Sequence, residues 1–459
     1  MILSHTAKDY SNRAKEIWRV TYPVVIEQLF ITLMGIVNTA MISSVSTDAM
    51  SAAGHINNAS NIIISLFAAL TTGGTIVVAQ AIGANDKQRA TVVGAQAIMS
   101  AAFFSIVVSA LLAVFQYPII NALFGGSVLT MKDAGQTYFM YVNLSFPLLA
   151  VTQTIFGVLR GSGDTSTPMK ITLLMNVVNF LLGYALILGV SFGPIQTPSF
   201  GVHGAGIALS AARLAGLIYA AYIIFFTSKT IKLNRLANFK FNGAAQKAVF
   251  KLGLPTSADS TMFNAGRMLT QLYIVGMGSA AMAANTVANS IFVFISVPGN
   301  ALMISVMILI GQRVGRGQID DIKKTAVFST VLGMIVIGLI CLASLPLMNM
   351  TIRLYNLNSE EAPLYLNLMY TAFIATALVW PASFVTPSAL RATGDVKYTM
   401  VISILSMWLF RITTGYLLGV VFGLGVIGVW CGMYTDWAVR AVFYHYRILN
   451  GKWKKYLKG

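Results

Sequence analysis

Three acidic residues lie inside long apolar segments, where a charge is unusual enough to suggest chemistry: Glu27, Asp259 and Asp436. A charged side chain at membrane depth costs about 2.5–3.5 kcal/mol on insertion scales, so it usually faces a cavity or a partner. Glu27 follows Pro23 by four residues, and Asp259 follows Pro255 by four. We predict that Glu27 and Asp259 bind a coupling cation, exchange a proton or attract a cationic substrate. The alternative is that each pairs with a local basic residue or caps backbone that the proline opens.

Asp436 has a basic residue, Arg440, four positions later. This is the spacing of an ion pair on one face of a helix. We therefore predict that Asp436 and Arg440 form a structural ion pair.

Two arginines, Arg267 and Arg411, fall deep inside apolar segments. Arg267 lies twelve residues beyond Pro255, which corresponds to about 18 Å along a helix. We predict that both arginines line a substrate cavity and make it electropositive, which argues against a purely cationic substrate. The alternative is a packing role with bonds to backbone carbonyls. Arg213, in another apolar segment, has no partner close in the sequence.

Three amides, Asn38, Asn176 and Asn179, are further candidates for the substrate cavity. An asparagine cannot titrate, although its carbonyl oxygen can bind a sodium ion. We predict that the three side chains form a polar cluster. The alternative is that they join helices by hydrogen bonds, as buried amides often do in membranes.

The elements that carry these residues must be membrane helices. Hydrophobic residues make up 56% of the 459 residues and charged residues 10%, with a mean hydropathy of +0.74. Soluble domains have about 25% charged residues. Segments of about 20 apolar residues span a bilayer as helices. Twelve such segments predict an all-α integral membrane protein: 17–42, 57–80, 92–115, 134–157, 169–190, 203–227, 255–277, 286–311, 323–346, 365–388, 396–420 and 425–447.

The net charge of +17 follows the predicted topology. When both termini are placed in the cytoplasm, the stretches on the opposite side contain only Lys132 and Arg353 as basic residues. This asymmetry is the positive-inside rule, and it predicts a multi-pass protein of the cell inner membrane. The basic tail "NGKWKKYLKG" is expected to face anionic lipid headgroups rather than nucleic acid.

The sequence has no motif typical of an enzyme. Its four histidines and two cysteines are scattered, and we find no nucleophile motif, paired catalytic carboxylates or phosphate-binding loop. We therefore expect no catalytic residue, no structural metal and no cofactor other than Na+ as a candidate coupling ion.

The sequence repeats itself across its two halves. The run "VLRGSGD" at 158–164 reappears as "ALRATGD" at 389–395, and Gln80 and Gln312 occupy a second pair of matching positions. Six spans per half make the halves parallel repeats, between which a substrate path usually lies. We predict two pseudo-symmetric six-helix lobes, 1–227 and 255–459, joined by a cytoplasmic linker at 228–254.

The repeated run should form a turn after spans 4 and 10. Its glycines allow a tight turn, its arginine can bond helix-end carbonyls, and its aspartate can cap the next helix. A latch at a cytoplasmic gate is the alternative role.

Three further runs join these two turns: "MGIVNTAMIS", "MAANTVANSIF" and "MWLFRITTGYLLGVVFGLGVIGVW". Together they resemble the multidrug and toxic compound extrusion (MATE) family, in a bacterial branch. The resemblance covers all twelve spans. It implies two six-helix lobes around a central cavity and export of organic, often cationic, compounds driven by sodium ions or protons. The alternative twelve-span fold, the major facilitator type, usually has a signature in the loop after span 2: Gly, three residues, then Asp and a basic residue. The run from Gly83 to Lys87 in this loop is one residue too short to match that signature.

The chain departs from the MATE pattern in its first half. Many members have an aspartate in span 1 where this sequence has Asn38, and another in span 5 where it has Gly183. The usual proton carrier of that half is therefore absent.

The sequence as a whole predicts a secondary antiporter that exports small amphiphilic organic compounds by alternating access. We expect it to work as a monomer in the lipid bilayer, with a small organic substrate and a coupling cation as partners. The alternative is a flippase for a lipid-linked precursor in the same wider superfamily, for which Arg267 and Arg411 would contact pyrophosphate.

Overall fold

The computed structural model describes residues 2–192, 195–228, 230–234 and 239–458. The chain divides into two compact units. The first lobe is Ile26–Ser257, and the second lobe is Ala258–Gly459 together with Met1–Val25. Helix α1 (Ile2–Ser43) therefore contributes to both units, and so does α9 (Gly243–Val275), which begins inside the predicted linker 228–254.

The first lobe contains the later part of α1, seven further helices, the start of α9 and one small β-ribbon. These helices are α2 (Thr47–Gly83), α3 (Lys87–Val114), α4 (Gln116–Phe124), α5 (Leu129–Leu144), α6 (Phe146–Gly161), α7 (Ser166–Gly183) and α8 (Gly201–Tyr222). Short π-helical turns extend α7 over Tyr184–Leu188 and α8 over Ile223–Thr227. The ribbon pairs β1 (Val190–Phe192) antiparallel with β2 (Ile195–Thr197), so that Val190 is opposite Thr197.

The second lobe contains the first part of α1, most of α9 and eight further helices. They are α10 (Ser279–Gly315), α11 (Ile319–Ser344), α12 (Met348–Leu354), α13 (Glu361–Leu378), α14 (Trp380–Ala392), α15 (Val396–Ser406), α16 (Thr413–Tyr416) and α17 (Gly425–Leu449). A 3₁₀ turn at Leu345–Leu347 links α11 to α12, and another covers Lys452–Lys458. The π-helical turns Met407–Ile412 and Leu417–Val421 flank α16.

The order of helices in the two lobes confirms the predicted repeat. Helices α2 and α10 both have 37 residues, and both their first and last residues are 232 positions apart. Helices α5 and α13 also begin 232 positions apart. Each lobe is therefore built from the same series of helices, in the same order along the chain.

The described helices account for the twelve predicted spans. Nine of them, each counted with its short continuation, are long and apolar enough to cross a membrane, and the bent pair α5 and α6 forms a tenth. The other two spans are α9 and α17, with 33 and 25 residues. Their composition is less apolar because they carry Asp259 and Arg267, and Asp436 and Arg440, respectively. The fold is thus an all-α integral membrane protein of twelve spanning helices, apart from the three-residue strands.

The breaks in spans 4 and 10 lie beside prolines. Helices α5 and α6 meet at Ser145 with a bend of 43°, and Pro147 occupies the first turn of α6. In the second lobe Pro381 occupies the first turn of α14, after the break at Val379. Proline lacks the backbone N–H that a continuous helix needs, so it is tolerated where a new helix begins.

The outward faces of the helices are apolar. On α3, Phe103 is 73% exposed and Val114 is 74% exposed, although both are large hydrophobic side chains. Soluble proteins rarely leave such residues in a continuous apolar surface. Such an apolar surface is suited to contact with lipid tails.

Candidate functional site

The candidate acid of the first lobe, Glu27, forms a buried ion pair with Arg160. Arg160 lies in the last turn of α6, inside the run "VLRGSGD", and its Nη2 donates to Glu27 Oε1. Both residues are buried. Glu27 Oε2 and Arg160 Nε have no hydrogen-bond partner among the described residues. The pair is therefore only partly satisfied, with one carboxylate oxygen and one guanidinium nitrogen left without hydrogen bonds among the described residues.

The candidate acid of the second lobe, Asp259, forms the corresponding pair with Arg391. Arg391 lies in the last turn of α14, inside "ALRATGD", and its Nη2 donates to Asp259 Oδ2 at 2.5 Å. The prediction that the turn arginines bond helix-end carbonyls is therefore wrong for both side chains. A charged hydrogen bond to a carboxylate is stronger than one to a neutral carbonyl, which explains the preference.

The backbone of both repeated turns has the predicted tight conformation. Gly163 and Gly394 have φ angles of 96° and 94°, which glycine adopts without steric cost. Asp164 accepts a hydrogen bond from the backbone N–H of Thr167 at 3.0 Å and so caps the next helix, as predicted. The matching Asp395 does not cap; it accepts from Arg447 Nε at 2.7 Å instead, so the cap prediction is wrong there.

The three candidate amides of the first lobe occupy separate hydrogen-bond environments. Asn38 Nδ2 donates to the hydroxyl of Tyr138 at 3.0 Å, and Asn176 Nδ2 donates to the carbonyl of Thr172 in its own helix. Asn179 is buried, and its Oδ1 has no partner among the described residues. No hydrogen bond joins the three amides to each other in the described part of the chain, and their role in a substrate cavity stays a prediction.

Gly183 stands where many MATE members have an aspartate, and here it allows α7 to pack closely on α1. A Cβ atom at Gly183 would lie 2.5 Å from Met41 Cε, so the Met41 side chain would have to move. The first lobe therefore uses this position for helix contact rather than for an acid.

Arg213, which had no partner in the sequence, binds the break between α5 and α6. Its Nη1 donates to Ser145 Oγ at 2.6 Å, and both side chains are buried. The arginine therefore supplies a hydrogen bond at the point where span 4 is interrupted.

The second lobe contains the ion pair expected on α17. Arg440 Nε donates to Asp436 Oδ1 at 2.7 Å, and Arg440 Nη2 donates to the carbonyl of Ser403 at 3.1 Å. Asp436 is fully buried, and its Oδ2 has no hydrogen-bond partner among the described residues. A structural role for this pair stays a prediction.

Arg411 and Arg267 have no carboxylate of their own. Arg411 is 8% exposed, and its guanidinium lies 5.5 Å from the ring centre of Phe263. Arg267 is exposed on the second lobe. Neither arginine has a hydrogen bond or ion pair from its side chain to another described residue.

A charge network on the second lobe joins α1, α10 and α11. Asp321 binds Arg13 Nη2 and Arg313 Nε, both at 2.5 Å, and Arg313 Nη2 also binds Glu16 at 2.5 Å. Arg313 and Asp321 are only 8 residues apart, but Glu16 precedes Arg313 by 297 residues, so no local pattern in the sequence connects the group. The network ties the beginning of α1 to the second lobe.

Similarity to known proteins supports one family across the whole chain. The profile of the MatE family matches residues 23–185 and 255–417, one match in each half. An uncharacterised transporter of Bacillus subtilis, YisQ, is 26% identical over 98% of this chain and 97% of its own length. The probable multidrug resistance protein NorM of Thermotoga maritima is 26% identical over 96% of this chain and 93% of its own.

The fold is also that of solved MATE transporters. The crystal structure of a MATE protein in the bent conformation superimposes with a TM-score of 0.86, at 19% identity, and covers 97% of both chains. The predicted twelve-helix fold with two lobes is confirmed, and so is the resemblance in the sequence. The chain belongs to the MatE family of multi-pass membrane proteins, the multidrug and toxic compound extrusion transporters, and is a transporter rather than an enzyme.

Proposed function

We propose that this transporter is a secondary antiporter that exports small amphiphilic organic compounds by alternating access, in exchange for sodium ions or protons. It works as a monomer in the cell inner membrane, with both termini in the cytoplasm. The family and the multidrug resistance names of several relatives support export of this substrate class. The asymmetry of the basic residues supports the orientation.

One observation carries the ion-exchange part of the proposal: each lobe has a buried acid paired with an arginine at the matching position of the repeat. In the first lobe, Glu27 Oε2 is left without a partner among the described residues. A buried unsatisfied polar atom costs about 1–3 kcal/mol, and a bound proton or sodium ion would remove that cost. Two such acids give a transporter two places at which ion binding can weaken a bond between helices.

Asp259 is the stronger candidate for the coupling acid. Its arginine partner, Arg391, is partly exposed at 16% of its side chain, whereas Arg160 is 7% exposed. Solvent can therefore reach the Asp259 pair more easily, and an ion exchanged with solvent needs such access. Asn38 cannot titrate and is expected to contribute less.

The test is ion-driven uptake of two amphiphilic dyes, one cationic and one anionic, into inverted membrane vesicles, measured separately with a sodium gradient and a proton gradient. We expect Asp259→Asn to reduce the uptake strongly and Asn38→Ala to reduce it much less. Asp320→Asn is the matched control, because the Asp320 side chain is 98% exposed. Uptake close to wild type in both Asp259→Asn and Asn38→Ala would remove the coupling assignment.

A folding defect must be separated from a coupling defect. The double variant Asp259→Asn/Arg391→Gln removes both charges of the pair and so avoids an uncompensated arginine. We expect this variant to accumulate in the membrane and still fail to couple uptake to the ion gradient. Restored coupling in the double variant would show that the pair is only structural.

A further inference from the structure

The apolar segments of the second lobe contain more arginines than acids. Asp259 is bound by Arg391 at 2.5 Å, and Asp436 is bound by Arg440 at 2.7 Å. These pairs use Asp259 and Asp436, the two acids of this lobe that lie inside its apolar segments. Arg267 and Arg411 are left as two positive charges at membrane depth.

Arg411 is the less favourable of these two charges, because it is buried. It is only 8% exposed, and its Nε has no hydrogen-bond partner in the described part of the chain. Arg267 lies on α9 one helical turn after Phe263, whose ring lies 5.5 Å from the Arg411 guanidinium, so the two arginines flank the same part of the lobe. A guanidinium has five N–H donors that need acceptors, and a buried charge without them is strongly disfavoured.

An aromatic surface lies against these charges. The ring centre of Phe263 lies 5.5 Å from the Arg411 guanidinium and 5.3 Å from that of Arg440. Phe384 meets Phe263 edge to face, with ring centres 6.0 Å apart. Cation–π contacts offset part of the desolvation of an arginine, but they supply no hydrogen-bond acceptor. The combination of unmatched guanidinium groups and an apolar ring suits a ligand with an acidic group on an apolar body.

We propose that Arg411 and Arg267 form an anion-binding site in the second lobe, which holds the carboxylate or phosphate group of an amphiphilic substrate while Phe263 contacts its apolar part. This inference rests on the proposed export function and narrows its substrate class from amphiphilic compounds in general to organic anions. Arg411 supplies a planar pair of donors suited to such a group, and Arg267 adds charge at an accessible position.

The test measures binding to the purified protein in detergent, so that it does not depend on transport. Three probes share one ring system: naphthalene-2-carboxylate, the neutral naphthalene-2-carboxamide and the cation 2-naphthylmethylammonium. We expect the carboxylate to bind at least about tenfold more tightly than the amide, and the cation to bind most weakly. A short-chain phosphatidic acid is the fourth probe, because a lipid phosphate and a soluble acid present the same chemistry.

Variants assign the binding to the arginines. Arg411→Gln and Arg267→Gln should each weaken binding of the carboxylate about tenfold or more, with little effect on the amide. Arg353→Gln is the matched control, since Arg353 is exposed on α12. Arg411→Lys keeps the charge and should bind the carboxylate more tightly than Arg411→Gln does, which protects the test against a variant that misfolds.

The outcomes separate this site from the export proposal. Equal affinity for the carboxylate and the amide, or unchanged affinity in Arg411→Gln, would overturn the anion site. Selective binding of the carboxylate without ion-driven flux of any probe would keep the site and contradict the exchange mechanism. Binding of the phosphatidic acid with no binding of the carboxylate would make a lipid phosphate the ligand, as a flippase requires.

Discussion

Arg391 donates a 2.5 Å hydrogen bond to Asp259 across 132 positions of the chain, and Arg160 binds Glu27 across 133. Each bond joins the last turn of the fourth spanning helix to the first spanning helix of the same half. The repeated turn therefore does more than reverse the chain: its arginine supplies the counterion for a buried acid.

Removing one member of the Asp259–Arg391 pair should cost more than removing both. Arg391→Gln leaves Asp259 buried and uncompensated, and we expect a loss of about 3 kcal/mol in the free energy of unfolding. Asp259→Asn/Arg391→Gln should cost clearly less than the sum of the two single variants, since it leaves no charge behind. Thermal unfolding of the purified protein in detergent measures all three. Additive losses would mean that the two side chains do not depend on each other.

The charge network at the start of α1 should make Asp321 important for the stability of the second lobe. Asp321→Asn weakens the bonds to both Arg13 and Arg313, and we expect a loss of about 1–2 kcal/mol that shrinks at high salt. The neighbouring Asp320 is 98% exposed, so Asp320→Asn should change stability by less than about 0.5 kcal/mol. Unfolding curves at low and high salt compare the two variants. Equal stability of the variants would contradict the network.

Gly204→Ala should lower stability because α8 packs directly on backbone at this position. The added Cβ would lie 2.5 Å from the carbonyl oxygen of Leu186, which can move only together with its chain, and overpacking of this kind costs about 1–3 kcal/mol. Gly183→Ala should cost less, because its Cβ would meet the flexible end of the Met41 side chain, 2.5 Å away. Gly54→Ala is the control, because nothing lies within 4 Å of its Cβ position. Thermal unfolding of the purified protein in detergent compares the three variants, and a Gly204→Ala protein as stable as Gly54→Ala would contradict the close packing.

Gln96 should hold the segment between the predicted halves against α3. It is fully buried, its Nε2 donates to the carbonyl of Lys240 at 2.9 Å, and its Oε1 accepts from the backbone N–H of Asn242 at 3.2 Å. Gln96→Leu removes these bonds, so we expect faster tryptic cleavage after Lys240. Gln88→Leu changes an exposed glutamine nearby and should leave the rate unaltered. An unchanged rate in Gln96→Leu would mean that other contacts hold the segment.

The sequence was sufficient for the architecture because the repeat and the hydropathy are properties of position along the chain. The displacement of 232 residues reappears in the ends of α2 and α10, and the turn glycines have the predicted backbone. The partners of Glu27 and Asp259 were missed because more than 130 residues separate each acid from its arginine. A signal was present: each half carries one such acid and one such arginine at almost the same separation. Each arginine was instead expected to bond carbonyl groups at the nearby helix end, so the long-range pairing was not predicted.

The membership of the first 25 residues in the second lobe determines how this gene could be divided. Ile17 is buried in the hydrophobic core that α10, α11 and α14 help to form, and Arg13 and Glu16 bind side chains of the same lobe. If the chain were cut between residues 257 and 258, the carboxyl-terminal fragment would lack the part of its hydrophobic core that residues 1–25 supply. Coexpressed fragments would each be complete only if a copy of residues 1–25 were fused to the fragment that starts at Ala258.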